Sequence, residues 1–124
     1  MRKAAHLITA ASAVAVLLGS MTVMVPATAN AADAKTIAEG KALAFNRKKG
    51  NCLACHQMDD GSLPGNIGPP LVAMKARFPD KAKLRAQIYD ARKNNPNTVM
   101  PPFGPHEILT NDEIDKIVEY VYTL

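Results

Sequence analysis

The apolar positions near the C-terminus have the spacing of an amphipathic helix. Four aliphatic residues recur at i, i+3, i+4 and i+7: Ile114, Ile117, Val118 and Val121. This spacing places them on one helix face, where they can pack against a core. Thr110 is predicted to cap the helix and to form a capping box with Glu113, while Leu109 and Ile114 occupy the two staple positions.

Another helix is predicted over residues 34–49. Asp33 is a candidate N-cap and Gly50 a candidate terminator. Residues 47–49 are all basic and would fall in the last turn, where positive charge favours the helix dipole. Gly40 costs about 1 kcal/mol relative to alanine inside a helix, but its missing side chain would let another helix approach closely.

The middle of the chain predicts two more helices. A helix from Asp80, its candidate N-cap, to about Lys93 is indicated by apolar residues at i, i+4 and i+7. These residues are Leu84, Ile88 and Ala91. A shorter helix is predicted over residues 71–77.

The remaining segments are rich in turn-forming residues. Residues 57–70 contain repeated proline, glycine and asparagine or aspartate, and residues 99–106 contain three prolines and a glycine, which predicts ordered loops. No stretch alternates between apolar and polar residues as a half-buried strand would. We therefore predict an all-α fold of helices connected by proline-rich loops.

The first 31 residues have the layout of a secretory signal peptide. Arg2 and Lys3 form a basic start, residues 10–18 belong to an apolar region, and residues 27–31 offer small-residue cleavage sites. Cleavage after Ala31 would leave residues 32–124 as one small domain. A retained membrane anchor is the alternative, and no later segment could span a bilayer.

The formal net charge of +4 is not an argument for nucleic acid. Part of it lies in the predicted leader, and the rest is concentrated in one stretch, residues 75–93. The basic residues there are Lys75, Arg77, Lys81, Lys83, Arg85, Arg92 and Lys93. They form either a solvated helix face or a patch that steers an acidic protein partner.

The sequence Cys-Leu-Ala-Cys-His at 52–56 has the spacing of a covalent haem c attachment site. Cys52 and Cys55 can each add to a vinyl group of one porphyrin, and His56 can then be the proximal iron ligand. Such haem is attached outside the bacterial cytoplasm, so motif and leader indicate the same compartment, the periplasm. A dithiol redox pair, a Cys₂His₂ zinc site that includes His106, and two buried structural cysteines are the alternatives.

The second axial ligand would decide whether the iron carries electrons or binds substrate. Met58 is too close to His56 in sequence to reach the opposite ring face, and Met74 fits a core position. Met100 precedes two prolines that keep its loop extended, so we predict it as the distal ligand, with His106 as the alternative. A closed His/Met site is typical of an electron carrier.

These features resemble class I cytochrome c, and within it the SoxX family. The resemblance covers roughly residues 37–124. It rests on GNCLACH at 50–56, PGNIGPPL at 64–71, MPPFG at 100–104 and the segment 108–124. It implies a class I cytochrome c fold around one covalent haem c, with the carbonyl of Pro69 accepting a hydrogen bond from the His56 ring.

The resemblance also implies a role and partners. SoxX is the monohaem subunit of the SoxAX complex, an L-cysteine S-thiosulfotransferase of bacterial sulfur oxidation. Its SoxA partner joins thiosulfate to a cysteine of the carrier SoxYZ, and SoxX passes the released electrons to a small soluble cytochrome c. The chain alone would not catalyse the conjugation, because haem attachment uses both of its cysteines. The rivals are a free-standing cytochrome c serving a respiratory oxidase, and a haem enzyme or sensor with an open sixth site.

Overall fold

Helices and loops make up the whole of residues 32–124, the part of the chain that the computed structural model describes. The α-helices are α1 (Ala34–Phe45), α2 (Met74–Arg77), α3 (Lys81–Tyr89) and α4 (Asn111–Val121), and two short 3₁₀ helices lie at Cys52–Ala54 and Ala91–Lys93. No strand occurs within this range, which confirms the all-α prediction. None of these helices is long and apolar enough to cross a membrane. The predicted leader lies outside the described residues.

Helices α1 and α4 form the most extensive helix contact in the described part of the chain. A side chain at Gly40 would overlap the carbonyl oxygen of Lys116 and lie 3.0 Å from Cβ of Tyr120. The predicted close approach of a second helix is therefore confirmed. The ring of Phe45 meets the ring of Tyr120 edge-on, with centroids 6.3 Å apart. Aromatic packing of this kind adds stability beyond the area that it buries.

Helix α4 has the capping and the buried face that the sequence predicts. The Thr110 side chain accepts from the Glu113 N–H at 3.2 Å, and the Glu113 carboxylate accepts from the Thr110 N–H at 2.9 Å. Leu109 is buried beside the helix start. The predicted apolar face is buried throughout: Ile114, Ile117, Val118 and Val121.

The predicted end of α1 is wrong. The helix ends at Phe45, four residues early, and Asn46 adopts an extended conformation. The Asn46 side chain accepts a hydrogen bond from the Lys48 N–H at 2.8 Å, so a local turn competes with the next helical turn. Residues 47–49 consequently lie in turns beyond the helix and not in its last turn.

The helix predicted from Asp80 to about Lys93 is broken in two. Asp80 caps α3 as expected, by accepting from the Ala82 N–H at 2.9 Å. Asp90 then leaves the helical conformation, and its carboxylate accepts from both the backbone N–H and the guanidinium of Arg92. This buried carboxylate starts a separate 3₁₀ turn.

Three of the seven basic residues in the 75–93 stretch form ion pairs within the fold. Lys81 pairs with Glu119 and Arg85 pairs with Asp115, which ties α3 to α4. Arg92 pairs with Asp90. The first interpretation of this stretch, a solvated helix face, therefore accounts for these three cations better than a patch that steers an acidic partner.

Candidate haem site

The Cys-x-x-Cys-His motif forms a tight turn after α1. Asn51 lies in the left-handed region with φ of 46°, which turns the chain into the 3₁₀ helix Cys52–Ala54. The N–H groups of Cys55 and His56 both donate to the Cys52 carbonyl, at 3.1 and 2.9 Å. These bonds keep the two thiols and the imidazole on one turn, and all three side chains are half-buried.

The loop that follows the motif fixes the histidine ring. His56 Nδ1 lies 2.7 Å from the carbonyl oxygen of Pro69. Because a carbonyl can only accept, Nδ1 must carry the hydrogen, which leaves Nε2 with a free lone pair. A side chain at Gly68 would overlap the His56 ring, so this glycine makes room for it. The Gly68 N–H donates to the Cys55 carbonyl at 2.8 Å and anchors the loop to the motif.

A largely apolar cavity of about 360 Å³ lies against the motif. The motif and the 67–71 loop supply one part of its wall. Helices α2 to α4 and the 98–101 loop supply most of the rest. Its main apolar lining residues are Ile67, Leu71, Met74, Phe78, Leu84, Ile88, Val99, Phe103, Leu109, Ile117 and Val121. A cavity of this size and character is typical of a cofactor site.

All four predicted donor residues line this cavity: Cys52, Cys55, His56 and Met100. The Met100 N–H donates to the Thr98 hydroxyl at 3.1 Å, and Pro101 follows it, so the methionine lies on a fixed loop. His106, the alternative distal ligand, is exposed and is not among the lining residues.

The other two methionines of the described region differ from Met100. Met58 is 1% exposed and belongs to the hydrophobic core, away from the cavity wall. Met74 is also 1% exposed, as expected of a core residue, but it lines the cavity as well. Its sulfur accepts a hydrogen bond from Arg77 at 3.5 Å.

The site favours neither a dithiol nor a zinc centre. Burial raises the pKa of the Cys52 thiol to about 11, so this thiol stays protonated at neutral pH. A reactive dithiol needs a thiolate, which this burial disfavours. Within residues 32–124, no three His, Cys, Asp or Glu side chains are arranged to hold a metal ion. His106 is therefore not placed to complete a Cys₂His₂ set.

Four polar lining residues were not predicted from the sequence as site residues. They are Asn51, Arg77, Gln87 and Thr98. Arg77 also donates to the Pro70 carbonyl at 2.7 Å, next to the proline that contacts His56. Gln87 could have been found, because it shares a helix face with Leu84 and Ile88 and interrupts their apolar stripe.

The residues present fit a haem. Two thiols, an imidazole nitrogen with a free lone pair and a thioether meet at one apolar cavity, and the missing side chain of Gly68 leaves space for the imidazole. Soft sulfur and imidazole donors are the axial ligands that cytochromes c use. The helical fold and this cavity together define a cytochrome c domain.

Comparison with known proteins identifies the family. The family model described as cytochrome c oxidase, cbb3-type, subunit III, matches residues 35–121. The chain belongs to this family. Its haem is accordingly haem c, and its class is that of an electron-transfer cytochrome.

A solved structure and a curated protein are also similar to the chain. The crystal structure of SoxXA from P. pantotrophus is 28% identical to it, with a TM-score of 0.63, and the match covers 69% of this chain and 79% of that one. This likeness confirms the class I cytochrome c-like fold and a SoxX-like cytochrome. An uncharacterized lipoprotein of Aquifex aeolicus (strain VF5) is 40% identical over 76 residues, or 60% of this chain. The match spans only 37% of the lipoprotein's length.

Proposed function

We propose that residues 32–124 form a periplasmic monohaem cytochrome c that relays electrons for a SoxA-type partner during thiosulfate oxidation. The observation that carries this proposal is the meeting of Cys52, Cys55, His56 and Met100 at one apolar cavity. In the proposal the two cysteines would tether haem c through thioethers, and His56 and Met100 would bind its iron. Residues 1–31 are the signal peptide that directs export.

When bound, the haem supplies a reversible one-electron change of its iron. The protein's part is to hold ligands and to exclude water. The Pro69 carbonyl holds the hydrogen of His56 Nδ1, so Nε2 remains the free donor. Two prolines after Met100 restrict its loop, and the apolar lining keeps water from the site. A methionine ligand raises the reduction potential and leaves no open coordination position for a substrate.

The likeness to SoxXA supports a relay role in a larger complex. Joining thiosulfate to a carrier cysteine thiol forms a sulfur–sulfur bond and releases one proton and two electrons. The conjugation would occur on SoxA and the SoxYZ carrier, since this chain has no cysteine besides the two of the motif. The chain would accept the electrons one at a time and pass them to a small soluble cytochrome c. It is thus the non-catalytic subunit of an L-cysteine S-thiosulfotransferase.

Two measurements test this proposal. A denaturing gel stained for haem should show a band for the wild-type chain and none for Cys52→Ser/Cys55→Ser. Thiosulfate should reduce the wild-type chain only when the SoxA-type partner and SoxYZ are both present. Conjugation of thiosulfate by the isolated chain, or the absence of reduction in the full mixture, would contradict the proposed role.

The family description favours a second candidate function. A cytochrome of the cbb3-type subunit III family could instead donate electrons to a respiratory oxidase as a free-standing protein. The fold and ligands would be the same, so the discriminating observation is a stable partner. Oxidation of the reduced chain by oxidase-containing membranes, without any association with SoxA, would favour this candidate.

A further inference from the structure

The loop that carries Met100 is only weakly anchored by buried side chains. Ala91 and Phe103 are buried, at 0% and 4% exposure, but no residue between them is. Residues 92–97 are all exposed, and Thr98 and Met100 are half-buried where they line the cavity. Apolar packing therefore anchors the two ends of the segment firmly, and it anchors the middle, where the predicted iron ligand lies, much less.

Hydrogen bonds of Asn95 give the first part of this loop its shape. The Asn95 N–H donates to the Ala91 carbonyl at 3.0 Å, which joins the loop to the preceding 3₁₀ helix. The Asn95 carbonyl accepts from the Thr98 N–H at 3.0 Å, and the Asn95 side-chain oxygen accepts from the Asn97 N–H at 3.1 Å. Asparagine favours such turns because its side chain can bond to the backbone two residues on. The turn therefore fixes the backbone as far as Thr98.

A single hydrogen bond joins this turn to Met100. The hydroxyl oxygen of Thr98 accepts from the Met100 N–H, two residues on, at 3.1 Å. Within residues 32–124, the Met100 backbone makes no other hydrogen bond. Pro101 and Pro102 restrict the chain that follows, but they have no N–H with which to bond it to the rest of the fold. The backbone of Met100 is consequently held by one hydroxyl group.

Support of the backbone matters for a methionine ligand because the side chain is flexible. Methionine has three rotatable bonds, so its sulfur would reach the iron in only a few of the conformations open to it. Loss of the Thr98 acceptor would leave the Met100 N–H without a partner and would add loop conformations in which the sulfur lies away from the iron. A small ligand would then find the sixth iron position open in a larger fraction of the molecules.

We propose that Thr98 is a positioning residue whose hydroxyl keeps the sixth iron position closed. The inference rests on the proposed function, in which Met100 binds the iron opposite His56. By holding the Met100 N–H, the hydroxyl oxygen keeps the sulfur at the iron and keeps small ligands such as imidazole out. The hydrogen bond thereby favours the closed site of an electron carrier over the open site of a ligand-binding haem protein.

The test is the binding of imidazole to the oxidised, haem-loaded chain, followed by absorption spectroscopy. Imidazole must displace Met100, so its apparent Kd falls in proportion as the open fraction of the iron rises. Thr98→Val removes the hydroxyl and keeps a similar shape, and Thr98→Ser retains the hydroxyl. The matched control is Thr123→Val. The Thr123 hydroxyl also makes one local bond, to the Tyr120 carbonyl at 2.7 Å, but Thr123 does not line the cavity.

We expect Thr98→Val to lower the apparent Kd of imidazole by about tenfold, which is the effect of losing one hydrogen bond that holds the closed state. Thr98→Ser should stay within about twofold of the wild type. Thr123→Val should lower the melting temperature and leave the Kd within about twofold. Before imidazole is added, the near-infrared band of methionine bound to ferric haem should be present in all four proteins, because each retains Met100.

A second variant keeps the inference testable if Thr98→Val does not take up haem. Asn95→Ala removes the side-chain acceptor of the Asn97 N–H but leaves Thr98 and Met100 in place. Because this bond acts one step further from the ligand, we expect the imidazole Kd to fall by about threefold. A wild-type Kd in haem-loaded Asn95→Ala would then overturn the inference.

Three outcomes would overturn the positioning role and leave the proposed function intact. The first is an unchanged Kd in haem-loaded Thr98→Val. The second is an equal fall in Thr98→Ser, which would show that the hydroxyl is not the cause. The third is an equal fall in Thr123→Val, which would show that any loss of stability opens the site. If the wild-type chain lacks the near-infrared band, Met100 is not the ligand, and the proposed axial pair fails together with this inference.

Discussion

The α1–α4 pair and the loops around the cavity differ in what determines their structure. The pair has a buried aliphatic face, a glycine at the helix crossing, a capping box and a salt bridge between Lys116 of α4 and Glu39 of α1. The loops at 57–70 and 94–106 have no regular helix longer than a turn and contain little charge. The helix pair is specified by contacts of the chain with itself, whereas the loops form part of the cavity wall.

Few backbone hydrogen bonds fix the first of the two loops. We call the two loops together, residues 57–70 and 94–106, the loop half. The 65–71 segment is joined to the motif region by three N–H groups: Gly65 to Leu53, Gly68 to Cys55 and Leu71 to Gln57. None of these three bonds involves a residue of α1 or α4. The position of this loop therefore depends on the motif region, and the motif is where the haem would be attached.

Loss of the haem should lower the stability of the protein more than any substitution outside the site, because the haem would fill the cavity beside the loop half. The haem would cover the apolar lining of the cavity, and burial of apolar surface is the main favourable term in folding. A typical domain has a total stability of only about 5–15 kcal/mol, so losing this burial should unfold it. We expect haem-free Cys52→Ser/Cys55→Ser to lack a cooperative thermal transition by circular dichroism. A cooperative melt with near-native helicity would show that the loop half folds without haem.

A methyl group at the helix crossing should be the most damaging single change in the other half. Gly40→Ala places Cβ against the Lys116 carbonyl oxygen and should lower the free energy of unfolding of the haem-loaded protein by about 3 kcal/mol. The matched control is Ala38→Gly, at an exposed position of the same helix, which should cost only about 1 kcal/mol. Denaturant titrations measure both values. Equal losses for the two variants would show that the crossing is not tightly packed.

Loss of the α4 cap should have a smaller effect that leaves the cavity unchanged. Thr110→Ala removes the side-chain acceptor of the Glu113 N–H and should cost about 1 kcal/mol in denaturant unfolding. Thr110→Ser retains a hydroxyl and serves as the control. The haem absorption spectrum should be identical in all three proteins. A spectral change in Thr110→Ala would mean that the two halves are coupled more closely than their contacts indicate.

Acid should lower the stability of the protein at Asp59, a loop residue that hydrogen-bonds to Lys41 of α1 and Tyr120 of α4. The Lys41 ammonium, which donates to Asp59 at 2.7 Å, holds the pKa of this carboxyl below its usual value of 3.8, and the Tyr120 hydroxyl also donates to it. A lowered pKa in the folded state means that the stability is present above pH 3.8 and is lost as the pH falls further.

The expected result is a melting temperature of the haem-loaded protein that declines below about pH 4, with a shallower decline for Asp59→Asn. Asp115→Asn removes a carboxylate that pairs with Arg85 far from this junction, and it serves as the comparison. An identical decline in the wild type and in Asp59→Asn would exclude Asp59 as a source of the acid sensitivity.

The same division explains how much could be predicted from the sequence. Helix α4 was predictable in detail because its cap and its apolar spacing are local signals. The end of α1 and the break after α3 were not, because the side chains of Asn46 and Asp90 make local hydrogen bonds that propensity and periodicity do not reveal. Such bonds depend on the rotamer of one side chain, which a pattern of residue types does not contain.

The candidate site, too, was predictable only in part. Its candidate donors follow from the motif spacing and from the prolines after Met100, because both signals depend on residue type alone. The polar lining residues Arg77, Gln87 and Thr98 were missed, because only the folded chain brings α2, α3 and the distal loop to one cavity. Two apolar lining residues were missed for the same reason: Ile67 and Val99 are 32 residues apart in sequence and meet the same cavity only in the fold.

The most direct test of the account is whether Met100 binds the iron opposite His56. The oxidised wild-type protein should show the weak near-infrared absorption band of a methionine sulfur bound to ferric haem. Met100→Ala should abolish the band, whereas Met58→Leu and Met74→Leu, at two buried positions, should retain it. Loss of the band in Met74→Leu with retention in Met100→Ala would contradict the proposed axial pair.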